Sequence, residues 1–229
     1  MRLLATNYKL LKDVPGYEIY GLSLLPHALG GPNLCKFSTP ECRAVCLGTE
    51  TGMNRMAPAI LAKSNRTALY HADRGAFVQQ LAGEIDSRRR SARRKGKKLA
   101  VRLNVYSDIP WETEQPDLFH AFPDVQFYDY TKIPGRFERP ENYHLTYSFS
   151  GTLASTKASH AYYDHGVNTA AVFSTKRNEA LPVFVGNRLV IDGDVSDFRP
   201  RDRQGVVVGL RFKGGKANMT RAPKFVVVR

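Results

Sequence analysis

The chain has 229 residues, 42% of them hydrophobic and 24% charged, with 34 Lys and Arg against 21 Asp and Glu for a formal net charge of +13. Such a composition can bury a sizeable core and is expected to fold as one domain over residues 1–229, and aromatic residues spread from Tyr8 to Phe225 argue against low-complexity disorder. No run approaches the roughly 20 consecutive apolar residues of a membrane span, and Asn7, Lys9 and Lys12 break the N-terminal apolar stretch before a signal-peptide core forms, which points to the cytoplasm.

The first extended run, 17–24, leads into a stretch that holds all three cysteines, Cys35, Cys42 and Cys46, so residues 17–50 read as a strand followed by a metal or cluster loop. An odd number of clustered cysteines in a cytosolic chain points to metal or redox chemistry rather than a disulfide framework. Their spacing, C-x6-C-x3-C, lacks the C-x2-C pairs of a structural zinc site, and zinc would need a fourth ligand, for which His27 is the nearest candidate. Three thiolates without a fourth suit a [4Fe-4S] cluster with one open iron. The glycines of Leu29-Gly30-Gly31-Pro32-Asn33 would let backbone amides approach the sulfurs.

Apolar residues at helical spacing then predict helices over 56–71 and 74–94, with Phe77, Leu81 and Ile85 on one side of the second and Asp73 as its cap. The second helix ends in a run, 88–98, with eight basic and no acidic side chains: Arg88, Arg89, Arg90, Arg93, Arg94, Lys95, Lys97 and Lys98. A second basic stretch, 199–229, has nine basic residues and one acid, and its end, 214–229, is a basic C-terminal segment. Outside these two stretches the chain is nearly neutral. Nucleic acid, or a host protein that processes it, is the partner such segments suggest; a solvated helix end with a basic tail is the plainer reading.

Further extended runs, rich in β-branched or aromatic residues, fall at 99–106, 125–130, 143–149, 169–174, 183–191, 206–212 and 225–228, with a shorter helix predicted over 154–163. Strand–loop–helix alternation and the buried character of VRLNV and AAVF predict a mostly parallel sheet in an α/β fold. A full eight-fold barrel typically needs about 250 residues, so the expected architecture is an incomplete, trimmed TIM-like βα barrel.

Working residues of parallel α/β folds lie past the C-terminal ends of strands, and those positions are polar here. Asp108, Glu112, Asp129 and Asp194 are the candidate catalytic carboxylates. Asn104, Ser107, Lys132, Ser148, Lys176, Asp192 and Arg211 are candidate cofactor-binding groups, able together to fix a zwitterionic or phosphorylated ligand at one mouth. Each could also be ordinary turn or cap chemistry. No G-x-x-x-x-G-K-[ST], H-E-x-x-H or G-x-S-x-G occurs, so P-loop hydrolysis, zincin proteolysis and serine hydrolysis have no sequence support.

The phrases GLSLLPHALGGPNLCKFSTPECRAVCL, VRLNVYSDIPWE, VQFYDYTKIP, NYHLTYSFSG, VIDGDVSD and GVVVGLRFKG, in that order, resemble the phage gene product 88 family from about Gly21 to Gly214. That resemblance implies a bacteriophage protein working in the host cytoplasm. A looser similarity is to radical S-adenosylmethionine enzymes, whose partial barrel has three cysteines after its first strand, spaced C-x3-C-x2-C. It implies Cys35, Cys42 and Cys46 as cluster ligands and S-adenosylmethionine as a cofactor. The leading expectation is therefore a phage iron–sulfur protein that acts on or binds nucleic acid. The alternative is a non-enzymatic binding protein with a structural iron–sulfur or zinc site, and a third reading is a base or nucleoside transferase with an Asp nucleophile.

Overall fold

The computed structural model describes residues 1–6, 10, 14–214 and 219–227. In chain order, β1 (Leu4–Ala5) and β2 (Tyr17–Leu22) come first, and the short helix α1 (Pro40–Ala44) lies within the cysteine stretch. Helices α2 (Ala57–Ala72) and α3 (Arg74–Arg94) lead to β3 (Lys98–Arg102), and two short helices, α4 (Trp111–Glu114) and α5 (Pro116–His120), lead to β4 (Gln126–Thr131) and β5 (Tyr143–Ser148). Helix α6 (Leu153–Asp164) precedes β6 (Thr169–Phe173); β7 (Phe184–Val185), β8 (Arg188–Asp192), β9 (Val207–Arg211) and β10 (Val226–Val227) complete the order. Asp73 caps α3 as its sequence position suggests, accepting from the Ala76 amide at 2.9 Å. The basic C-terminal segment falls partly outside the described residues, which omit 215–218 and 228–229.

All strands belong to one sheet, ordered β1-β2-β3-β4-β5-β6-β9-β8-β7, with β10 also on β6. Pairing is parallel everywhere except at the two ends, where β1 meets β2 and β7 meets β8. The run 183–191 is thus a hairpin rather than one strand. Its two-residue turn, Gly186-Asn187, needs a left-handed first residue, and Gly186 has φ 59°. Strand β6 changes partners along its length. Its first residues pair with β5 (Tyr147↔Thr169, Ser148↔Ala170), and its last pair with β10 (Val226↔Val172, Val227↔Phe173).

The expected α/β fold with a mostly parallel sheet is present, and the sheet is open. Among the described residues no strand pairing joins the β1–β2 end to the β8–β7 end. The turn that follows β8 occupies the face across which they would meet. Phe198 packs its ring 4.7 Å from Tyr17 of β2 and 5.3 Å from Tyr128 of β4, and Arg201 donates to the Pro15 carbonyl at 2.7 Å. This turn, together with Ile19, Ala100 and Tyr128, makes a small core on one side of the sheet.

The larger core lies on the other side. Phe77, Leu81 and Ile85 are completely buried, and their spacing of four residues puts them on one stripe of α3 against Leu99, Val101, Phe127 and Leu145. Each such side chain contributes about 1.5–3 kcal/mol of burial free energy. Trp111 fills the same core edge-on to Tyr70, with ring centroids 5.9 Å apart. Sheet polarity gives the molecule two poles, one at the C-terminal ends of the parallel strands and one at their N-terminal ends.

Candidate functional site

The stretch after β2 crosses the C-terminal pole and carries the cysteines. Thr39 starts α1 by accepting from the Cys42 amide at 3.1 Å, and Pro40 occupies the first turn, where its missing N–H costs nothing. The stretch is tied to the loop after β3: the Asp108 amide donates to the Leu34 carbonyl at 2.8 Å, and the Cys35 thiol donates to the Tyr106 carbonyl at 3.3 Å. All three cysteines are free and half-buried. Burial pushes Cys35 up to about 12, the backbone of His27 opposing it and Asp108, Cys46 and Cys42 adding to it. Burial also raises Cys46, whose charged neighbours are Cys42 and Lys132. The three thiols and Lys132 therefore share one electrostatic neighbourhood.

Asp108 and Lys132 stand beside this neighbourhood. The Lys132 amide donates to Asp108 Oδ2 at 2.7 Å, and its ammonium donates to Ser148 Oγ at 2.5 Å. Asp108 has a raised pKa because burial outweighs the pull of Arg136 and Lys132. Arg136, with a side chain only 5% exposed, sits at the centre of the group. Its Nε and Nη2 grip Glu112 in a fork with both distances 2.6 Å, its Nη1 lies 3.4 Å from Asp108, and its Nη2 also donates to Tyr143 Oη at 3.1 Å. Tyr143 in turn donates to Asp129 Oδ2 at 2.7 Å. Asp129 is fully buried and also accepts from the backbone and side-chain nitrogens of Asn104, at 2.6 and 3.1 Å. Asn104 Oδ1 accepts from Ser107 and from the Ile109 amide, so Asn104 and Ser107 shape the loop after β3 from within.

Cys35, Cys42, Cys46, Asp108, Lys132 and Ser148 thus come together, and Glu112 and Asp129 join them through Arg136, which sequence reasoning missed. The remaining candidates form a second group on β8 and β9. Arg211 Nη1 binds Asp192 at 2.8 and 2.9 Å and Asp194 at 3.3 Å, while Lys213 reaches Asp194 at 2.7 Å. Asp194 is held below its usual range because Lys213 and Arg211 outweigh the effect of burial. Lys176 is exposed and faces Glu179 at 3.6 Å. No hydrogen bond or ion pair of the described residues joins this group to the first, so the single mouth expected from the strand ends is divided in two. The open sheet keeps β8 and β9 away from β3 and β4.

Lys63 of α2 was also missed. It is buried, donates to the Gly48 carbonyl and, at 3.3 Å, to the Asn54 carbonyl, and lies 5.1 Å from the centre of the Tyr106 ring. Burial lowers its pKa, and Cys46 in its thiolate form opposes that. Among the described residues no carboxylate pairs with it.

Among the described residues no group of three or more His, Cys, Asp or Glu side chains is placed to hold a metal ion. His27 offers Cys35 its backbone, while its imidazole lies beside Arg43.

The basic residues of α3 lie at the opposite pole. Arg88 stacks on Tyr20 at 4.7 Å, Arg89 pairs with Asp86 and Asp124, Arg90 with Asp86, and Lys95 with Glu18. Arg93, Arg94, Lys97 and Lys98 are exposed and have no acidic partner among the described residues. Four of the nine basic residues of the second stretch pair with carboxylates: Arg199 with Asp202, Arg211 and Lys213 as above, and Arg221 with Glu50. Among the described residues no helix is long and apolar enough to cross a membrane.

Neither a curated protein nor a solved structure matches the chain, so the likeness to radical S-adenosylmethionine enzymes gains no support from them. The family described as Gene product 88 matches residues 2–226, nearly the whole chain, and the chain belongs to that family.

Proposed function

We propose that the chain is a phage iron–sulfur protein that binds nucleic acid, with the cluster at the C-terminal pole of the sheet and the nucleic acid at the other. The observation that carries the cluster is Lys63. A buried ammonium without a carboxylate costs several kcal/mol, and the acidic group in its reach is Cys46. Cys46 as a neutral thiol leaves that charge unbalanced; as a metal-bound thiolate it balances it. Cys35, Cys42 and Cys46 would hold the cluster, which supplies one-electron chemistry and an open iron when bound. Lys63 and Lys132 offset its negative charge, the Cys35 stretch is held in register by the Asp108 amide, and Asp129 supplies a buried proton acceptor linked to Arg136 through Tyr143.

Protein purified without oxygen is expected to be brown, with about four irons per chain, and to lose both colour and iron in the Cys35→Ser variant. A colourless protein with one zinc per chain overturns the reading. Replacing Lys63 by Met gives an independent check: cluster loss on dilution is faster in Lys63→Met than in wild type, whereas a neutral-thiol site would only gain stability from removal of the charge.

The support for nucleic acid is the set of four exposed, unpaired cations at the end of α3. Fluorescence anisotropy of labelled duplex and single-stranded DNA, with Arg93, Arg94, Lys97 and Lys98 replaced by Gln, tests it. Unchanged affinity in that variant sinks this half of the proposal.

A further inference from the structure

Beneath the turn 196–202, on the side of the sheet away from α2 and α3, lies a set of buried polar atoms with no hydrogen-bond partner. They are Arg102 Nε, Tyr128 Oη, His144 Nε2, Thr146 Oγ1, Arg199 Nε and Nη1, and Asp202 Oδ2. Their positions follow from the register. Tyr128 pairs with His144 across β4 and β5, Tyr130 with Thr146 is the next pair on that face, and Arg102 is one step beyond the Val101↔Phe127 pair. The turn closes over them: Phe198 packs on Tyr128, Asp197 binds Arg102 at 2.7 Å, and Arg199 donates to the Ser196 carbonyl.

Tyr128 and Thr146 are completely buried and Arg199 is 1% exposed. An unmet buried donor costs about 1–3 kcal/mol, so several in one place indicate an occupant. The inventory says what kind. Arg102 pairs with Asp197 at 2.7 Å and Arg199 with Asp202 at 3.0 Å, so the two charges are balanced, while Arg102 Nε, Arg199 Nε, two hydroxyls and an imidazole nitrogen remain without a hydrogen-bond partner. A surplus of donors around two arginines matches an oxyanion with several acceptor oxygens.

A cavity adjoins the set at His144. It has a volume of about 440 Å³ and opens at the N-terminal pole, lined by Gln126, Phe137, Arg139, Glu141, His144 and His165 among others. His144 belongs to both the cavity and the donor set. Phe137 and His165 form a flat wall, stacked at 3.9 Å and 5° between planes, and Arg139 adds a cation. The volume lies within the usual range for a small-molecule site.

We propose that the buried donors under the 196–202 turn bind the phosphate of a phosphomonoester that enters through this cavity. Either a free nucleotide or the phosphorylated end of a nucleic acid strand supplies that chemistry. The site is distinct from the exposed cations of α3 and stands without them.

Thermal unfolding of the full chain is followed in inorganic phosphate and in chloride at equal ionic strength. Phosphate is expected to raise the transition temperature beyond chloride and in a saturable way, as a ligand of the folded state does. The same measurement with a nucleoside monophosphate, and with oligonucleotides bearing a 5′-phosphate or a 5′-hydroxyl, separates the two sources. In Tyr128→Phe and Thr146→Val the protein without phosphate keeps or gains stability, because an unmet donor has gone, while phosphate affinity falls at least tenfold. Equal effects of phosphate and chloride in wild type overturn the proposal and leave buried water as the occupant; so does an undiminished phosphate effect in both variants. The Gln variant of Arg93, Arg94, Lys97 and Lys98 retains the phosphate response, so failure of the duplex-binding surface and failure of this site are read separately.

Discussion

Burial pushes Asp129 up to about 7, although Tyr143, the Asn104 amide, Arg102 and Arg136 all favour its charged form. In the unfolded chain the same carboxyl titrates near 4. Between those values the unfolded chain gives up its proton and the folded one keeps it, so folding stability attributable to Asp129 falls as pH rises from about 4 to about 7 and is level above. Three units correspond to a loss on the order of 4 kcal/mol. Urea unfolding of wild type against Asp129→Asn across that window is expected to show a pH-dependent gap that the variant lacks. Arg136 works in the opposite sense, since it balances Glu112 and Asp108. Replacing it by Met strands buried carboxylates and costs about 3–5 kcal/mol, while Arg136→Met combined with Glu112→Leu recovers much of the loss. Equal costs for the single and double variants in urea unfolding would show that the fork contributes nothing specific.

The way β6 changes partners from β5 to β10 depends on one glycine. Gly151 follows β5 with φ 79°, and a Cβ there would lie 1.8 Å from the Lys224 carbonyl oxygen. The segment it would displace is docked on the cysteine stretch: Glu41 accepts from the Lys224 and Phe225 amides at 2.8 and 2.9 Å, and Val45 packs with Ala222 and Val226. Gly151→Ala is therefore expected to release β10 and to speed alkylation of Cys42 and Cys46 roughly tenfold, the ratio for about 1.4 kcal/mol of lost docking; labelling kinetics followed by mass spectrometry report it. The main strands and α2, α3 and α6 were legible within a few residues because each is a local pattern, such as the Phe77, Leu81, Ile85 stripe. Helices α4 and α5 were not, being two single turns begun at Pro110 and Pro116, short enough to read as loop. The cysteines and the strand-end carboxylates stood out by residue type and position. Arg136 and Lys63 did not, since what singles them out is burial against groups 24 and 15 residues away, Glu112 and Gly48. The Phe198 turn packed against β2 and β4 was not legible either, since it joins residues far apart in the chain.

At the scale of the molecule, the formal charge is +13, and among the described residues eleven of the 34 Lys and Arg pair with a carboxylate. β3 runs from Lys98 at one pole to Arg102 near the other, so the exposed end of α3 and the cysteine stretch are separated by more than about 13 Å of strand. A polyanion on α3 does not touch the thiols. The salt dependence of duplex binding is expected to reflect Arg93, Arg94, Lys97 and Lys98: neutralising them lowers the slope of log affinity against log salt by about 3 to 4, whereas Arg89→Gln, which removes a paired cation, changes it little. Titrations at a series of salt concentrations measure both. The separation applies in time as well. Glu41 waits for amides 183 residues downstream, which a ribosome reaches on the order of ten to forty seconds later. For that interval the nascent cysteine stretch lacks its cover, and a cluster donor that works during translation meets three open thiols rather than a docked strand.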